Sequence, residues 1–273
     1  MRGRFFADGD GSPRMGTVLR RGEPSPSAEN RPPNVERSSM HEKTITPIAH
    51  IRSPYKEKFG IPRQSGLVPE AVAEIVFEPK YRNPDALKGL AEFSHIWLIW
   101  GFSEVADGVF RASVKPPKLG GEKRGVFATR SPYRPNGLGL SSVRLLEMKP
   151  DAKDGTVLVV SGADLLDGTP IYDIKPYVPY SDMHPEAGGG FSDVHRGDRV
   201  GVHFPEELLL KIKPEHRTAL QKILELDPRG SYEKKPDAVY GLHFAEYEVH
   251  FKEKDGILLV TAVEQAETAG KVK

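Results

Sequence analysis

The stretch GVFATRSPYRPNGLGLSSVRLLEM, Gly125 to Met148, decides how this chain folds, because it runs from an apolar segment through a Pro/Gly loop into a second apolar segment. Val126, Phe127 and Ala128 read as the end of a buried strand. Pro132 and Pro135 stiffen the loop by fixing φ and removing donors, and Asn136, Gly137 and Gly139 allow left-handed turns or a close approach to a ligand. The strand pattern resumes at Leu140. The same alternation predicts strands at Ile45 to Ile51, Ala73 to Phe77, His95 to Phe102, Gly125 to Arg130, Leu140 to Met148, Val157 to Ser161 and Ile171 to Tyr177. One short helix, Pro84 to Ala91, interrupts them, with Asn83 as its cap. Several strands joined by Gly/Pro turns, without long alternating helices, predict a barrel or sandwich rather than a doubly wound sheet. No strand, Gly-rich turn and helix unit of the dinucleotide-binding kind is present.

Two loops in this region combine stiffness with charge. Arg130 and Arg134 sit on the first, which taken alone also reads as a surface turn with two solvated arginines. The second is DLLDGTPIYDIKPYVPY, Asp164 to Tyr180, where Asp167, Asp173 and Lys175 surround an Asp-Gly-Thr-Pro turn. A hairpin with incidental charges is the alternative there. Beyond a linker near Pro185 to Asp198, helical periodicity runs over Pro205 to Ile212 and Pro214 to Leu226. A hairpin, Tyr240 to Lys252 and Ile257 to Val263, follows with its turn at Asp255-Gly256. Ala245, Tyr247, Val249 and Phe251 share one face of its first strand, which predicts a half-buried sheet in a small α+β domain.

Five motifs in order carry a family resemblance: SPYKEKFGIPRQ (Ser53 to Gln64), EFSHIWLIWGF (Glu92 to Phe102), KPPKLGG (Lys115 to Gly121), GVFATRSPYRPNGLGLS and DLLDGTPIYDIKPYVPY. Together they resemble the TrmO family of tRNA adenine-N6 methyltransferases, densely over Ile45 to Asp193 and more weakly over Leu224 to Glu264. The resemblance implies a mainly β fold, a single-sheeted β-barrel that binds S-adenosyl-L-methionine, followed by the small α+β C-terminal domain. It also implies methylation of N6-threonylcarbamoyladenosine beside the anticodon, threonine tRNA as substrate, and a homodimer. The expected domains are a disordered extension at 1–42, with Met40 a candidate start, a barrel at 43–200 and the C-terminal domain at 201–273.

Carried across residue by residue, the resemblance places the cofactor among Pro62, Arg63, Gln64, Ser103, Glu104, Arg130, Leu140, Asp167, Gly168, Thr169 and Pro170. Arg130 would grip the methionine carboxylate, and a carboxylate such as Glu104 or Asp167 would pair with the amino group or ribose hydroxyls. The family often carries His-Gln where Ser103 and Glu104 stand. Asp173 and Tyr177 are the candidate acceptors of the N6 proton, with Lys175 stabilising negative charge. A local Asp173–Lys175 ion pair with Tyr177 packed in the core is the alternative. The RNA contacts are assigned to Lys115, Lys118, Arg134 and Arg229, the last in DPRGSY (Asp227 to Tyr232), where the family usually reads DPRPAY.

Composition narrows the field without deciding it. The 273 residues carry a net charge of +1, so RNA affinity must come from local patches rather than a global basic field. With no cysteine there is no disulfide or thiolate chemistry, which fits a cytoplasmic enzyme. No apolar run approaches the ~20 residues that span a bilayer. The histidines lack metal-ligand spacing, so no metal is expected. A different class of reading also fits: a non-catalytic module that binds S-adenosylmethionine or tRNA and regulates another protein.

Overall fold

In a computed structural model describing residues 43–105, 108–230, 235 and 238–266, the Pro/Gly-punctuated segments form a closed ladder. The expected disorder of 1–42, and Ser231 and Tyr232, lie outside the described residues. The first strands are β1 (Ala49–Arg52), β2 (Val72–Phe77), β3 (His95–Gly101), the two-residue β4 (Ser113–Val114) and β5 (Arg124–Gly125), and the long β6 (Leu138–Asp151). β7 (Gly155–Ser161) and β8 (Pro170–Pro176) follow. Six of them hydrogen-bond in the order β1-β2-β7-β6-β3-β8, and β8 pairs back onto β1 through Ala49 opposite Ile171, closing the barrel. β4 and β5 pair only with each other.

Strand periodicity sends alternate side chains inward. Ile51, Ile75, Ile96, Leu98, Val143, Leu158, Val160 and Ile171 fill the interior and are almost fully buried. Two local expectations are corrected. Val126–Ala128 is a 3-10 turn rather than a strand end, and Phe127 is 74% exposed. The helix at 84–91 is replaced by two 3-10 turns, Pro84–Leu87 and Leu90–Glu92, which follow another at Pro79–Tyr81 and are separated where Gly89 takes φ 80. Asn83 does cap the middle turn, its side chain accepting from the Asp85 N–H at 3.0 Å.

The rest of the chain comprises α1 (Pro179–Asp182), β9 (Gly201–His203), α2 (Glu206–Leu209), α3 (Pro214–Glu225), β10 (Val239–Phe244), β11 (Tyr247–Lys254) and β12 (Ile257–Gln265). The last three strands form an antiparallel meander, and β9 adds to β12 in parallel. α3 buries Ala219, Leu220, Ile223 and Leu224 on one stripe, against Tyr247, Val249 and Phe251 of the sheet. The expected single strand from Tyr240 to Lys252 is in fact two, folded back at Ala245 with φ 54.

The connection between β1 and β2 enters this second core. Tyr55, Val68 and Ala71 are buried in it, with Phe59 and Ile61 packed against it, and Tyr55 bridges Phe244 edge-on at 5.9 Å. Gly60 is required at this crossing: it holds φ 91, and a Cβ there would lie 2.1 Å from a methyl of Leu242.

Candidate active site

A cavity of about 550 Å³ opens at one rim of the barrel, between the β1–β2 connection, the end of β3 and the Pro/Gly loop ahead of β6. Trp100 and Phe102 form an aromatic wall, edge to face at 4.5 Å. Trp100 needs the glycine opposite it in the ladder: a Cβ on Gly139 would lie 2.4 Å from the indole ring. The indole N–H donates to the Ser141 hydroxyl at 3.0 Å, and that hydroxyl donates to the Asp164 carboxylate at 2.6 Å.

Asp164 is the residue that sequence reasoning missed. It lines the cavity from the segment after β7, and burial raises its pKa against the hydrogen bond from Ser141 and the more distant charge of Arg130. An acid held above its ordinary range in a cleft has the signature of a proton-handling group. No pattern marks it in the sequence, where it stands only as the first residue of DLLDGTP.

Of the residues assigned to a cofactor, the structure brings Pro62, Arg63, Gln64, Ser103, Glu104, Arg130, Leu140 and Thr169 to this cavity. Arg130 donates to the Gln64 side chain at 2.5 Å, so two of the expected segments meet directly. Glu104 lies at the exposed rim, 3.7 Å from Lys58. Asp167, Gly168 and Pro170 do not line the cavity. The Asp167 carboxylate instead accepts from the Ser53 N–H at 2.9 Å and pairs with Lys56 at 2.7 Å, pinning its turn to the β1–β2 connection.

The residues expected to carry catalysis lie elsewhere. Asp173 stands opposite Ile99 and Lys175 opposite Trp97, and these partners alternate with the buried Ile96, Leu98 and Trp100, so both side chains face outward. There they pair with each other at 2.8 Å. Tyr177 packs on Trp97 at 5.5 Å on that same outer face. None of the three lines the cavity.

The expected RNA contacts also separate. Lys115 is exposed beside β4, while Arg134 lines the cavity and braces its loop by donating to the Thr129 carbonyl at 3.0 Å. Lys118 pairs with Asp198 at 3.0 Å. Arg229 is not displayed to solvent: only 4% exposed, it holds both oxygens of Asp227 at 2.7 and 3.1 Å. Among the described residues no group of three or more His, Asp or Glu is arranged to hold a metal, and no helix is long and apolar enough to cross a membrane.

A barrel with a ligand-sized cleft at its rim, carrying a half-buried acid, arginines and an aromatic wall, defines a protein that binds a small polar molecule with an apolar part. Residues 50–183 match the model of the tRNA-methyltransferase O N-terminal domain, and residues 198–266 match that of the TrmO C-terminal domain. The chain belongs to the tRNA-methyltransferase O family. It is 38% identical to the tRNA (adenine(37)-N6)-methyltransferase of Escherichia coli, over 80% of this chain and 96% of that one. It is 39% identical to a putative S-adenosylmethionine-dependent methyltransferase, RcsF, of Pseudomonas aeruginosa, over 76% and 91%. A crystal structure of TrmO from P. aeruginosa superposes with a TM-score of 0.67 at 34% identity, covering 82% of this chain and 98% of that one.

Proposed function

We propose that this chain, a tRNA (adenine-N6)-methyltransferase by its family, methylates N6 of N6-threonylcarbamoyladenosine at position 37 of tRNA, with threonine tRNA as the substrate. The names of its relatives support adenine 37 and S-adenosylmethionine. The observation that carries the reading is the one cavity in which Arg130, Gln64, the Trp100–Phe102 wall and the half-buried Asp164 converge.

The donor set fits S-adenosylmethionine. About 550 Å³ is within the range of pockets for ligands of its size, with an apolar wall for a base and both charge signs for an amino acid end. When bound, the cofactor supplies an electrophilic methyl on a sulfonium. Arg130 and Gln64 hold a carboxylate, and Trp100, Phe102 and Leu140 exclude water from the ring. Glu104 and Asp164 are the two carboxylates of the cavity; Glu104 is exposed and Asp164 half-buried. In this reading Asp164 accepts the N6 proton, a task for which its raised pKa suits it better than an exposed acid. Asp173, Lys175 and Tyr177 take no part in that step from their outward positions. The enzyme grips the anticodon loop, acts as a homodimer and works in the cytoplasm.

The test is transfer of labelled methyl from S-adenosylmethionine to threonine tRNA with and without the threonylcarbamoyl group, read by nucleoside mass spectrometry. Label on the modified tRNA alone is expected. Cofactor binding with no transfer to either RNA would favour a non-catalytic binding module instead.

A further inference from the structure

A second cavity, of about 380 Å³, lies between the barrel's loops and the C-terminal segment, and Arg63 lines both cavities. Its charge is unbalanced in a specific way. Lys118 is neutralised by Asp198 at 3.0 Å, and Arg229 by Asp227 at 2.7 Å. Arg63 and Arg199 form no ion pair within 4 Å among the described residues, although the charges of Asp227 and Asp198 act on Arg63 at longer range. Arg63 reaches the Asp227 carbonyl at 3.5 Å, and Arg199 donates to the Asp198 carbonyl at 2.9 Å. Each guanidinium has five N–H donors in a planar fork matched to carboxylate or phosphate, and these carbonyls take one donor from each. Glu225 also lines the space and accepts from Gln221 at 3.3 Å, which keeps one acid in play against the two arginines.

We infer that this second cavity is an oxyanion subsite, in which Arg63 and Arg199 take a carboxylate or phosphate carried by the ligand whose base enters the first cavity. The inference rests on reading the first cavity as the methyl-transfer site. Arg63, at the junction, would touch both parts of one ligand. Two sources supply such an anion on this substrate: the threonyl carboxylate of the modified base, and the phosphate of the adjoining nucleotide. A subsite for the first would make the modification a requirement for binding, because an unmodified adenosine leaves both arginines unpaired.

The test measures binding of threonine tRNA, modified and unmodified, to the full chain at one fixed salt concentration, since phosphate contacts vary steeply with salt. Wild type is compared with Arg199→Gln, Arg63→Lys and, for the general electrostatic loss, Arg196→Gln. Arg196 is an exposed arginine that does not line the cavity. Arg199 is also exposed, so its variant folds, which circular dichroism verifies. Arg199→Gln is expected to bind modified tRNA about tenfold or more weaker than Arg196→Gln does, the loss typical of a charged hydrogen bond. Its affinity for S-adenosylmethionine, measured by calorimetry, is expected to stay at wild type. A loss confined to modified tRNA assigns the anion to the threonyl carboxylate, and an equal loss on both RNAs assigns it to phosphate. Arg63→Lys, which keeps the charge without the fork, is expected to show the same loss on tRNA, with cofactor affinity read only on Arg199→Gln because Arg63 also lines the first cavity. If Arg199→Gln loses no more than Arg196→Gln on either RNA, the subsite is refuted. A wild type that binds modified tRNA but transfers no methyl sinks the methyl-transfer reading alone, because the binding comparison still decides the subsite.

Discussion

Asp164 concentrates the conflict between stability and activity at a single residue. Because burial raises its pKa, its contribution to stability is fully present below the ordinary aspartate range and is lost as pH rises through its folded value. Burial therefore disfavours the ionised form of Asp164 in the folded protein. Asp164→Asn keeps the size and an acceptor for Ser141, so its melting temperature at pH 7 is expected to be no lower than wild type. Its kcat is expected to fall about 100-fold or more, the usual contribution of a general base. Calorimetry and single-turnover transfer read the two effects, and a variant that melts lower while keeping full kcat would remove Asp164 from the mechanism. Gly139 is a second such residue. Gly139→Ala drives a methyl into the Trp100 ring and is expected to cost about 1–3 kcal/mol, with loss of cofactor affinity. Denaturant titration and calorimetry check it. Arg130, Gln64, Glu104 and Leu140 are reached from the sequence through the family resemblance, and all four line the cavity. Asp164 is not reached that way, since its environment is made by Ser141 and Trp100, 23 and 64 positions upstream.

At the scale of elements, the strands were readable wherever the hydrophobic period ran unbroken, as in β2, β3 and β7. Reading failed at two irregularities that leave no mark in composition. One is the bulge in β8: Trp100 pairs with Ile171 but Ile99 with Asp173, so Tyr172 is an extra residue and the phase of the strand flips. Gly101 makes room for it, since a Cβ there would lie 2.7 Å from the Tyr172 ring. Without the bulge Asp173 and Lys175 would share the inward face of Ile171. With it they face out, and Asp173→Ala is expected to keep kcat within about twofold of wild type, as befits an exposed ion pair. A loss of 100-fold in the transfer assay would return Asp173 to catalysis. The other irregularity is the β10–β11 turn, where Ala245 takes φ 54 without a glycine or asparagine to announce it. An alanine there stores roughly 1 kcal/mol or more of strain. Ala245→Gly is therefore expected to stabilise the protein by about 1 kcal/mol, seen as a higher urea midpoint at unchanged slope. A lower midpoint would show that the turn is unstrained.

At the scale of the whole molecule, the C-terminal sheet acts as a foundation for the site. The segment bearing Pro62, Arg63 and Gln64 leaves the barrel after β1 and is anchored through Tyr55, Phe59, Ile61 and Val68 in a core built largely by α3 and β10–β12. A linear reading assigns that segment to the barrel, because the contacts that hold it come from residues nearly two hundred positions further on. Leu242 sits directly under Gly60, whereas Leu258 lies deep in the same core on β12. Truncating either to alanine is expected to cost about 2–5 kcal/mol, since both are buried leucines. Their effects on the site should differ. Leu242→Ala removes the support of residues 59–64, so its affinity for S-adenosylmethionine at 25 °C, well below melting, is expected to drop about tenfold. Leu258→Ala, equally destabilised, is expected to bind the cofactor as wild type does. Titration calorimetry on the two folded variants separates the possibilities: equal affinities would mean that the barrel holds its own rim and the C-terminal sheet contributes stability alone.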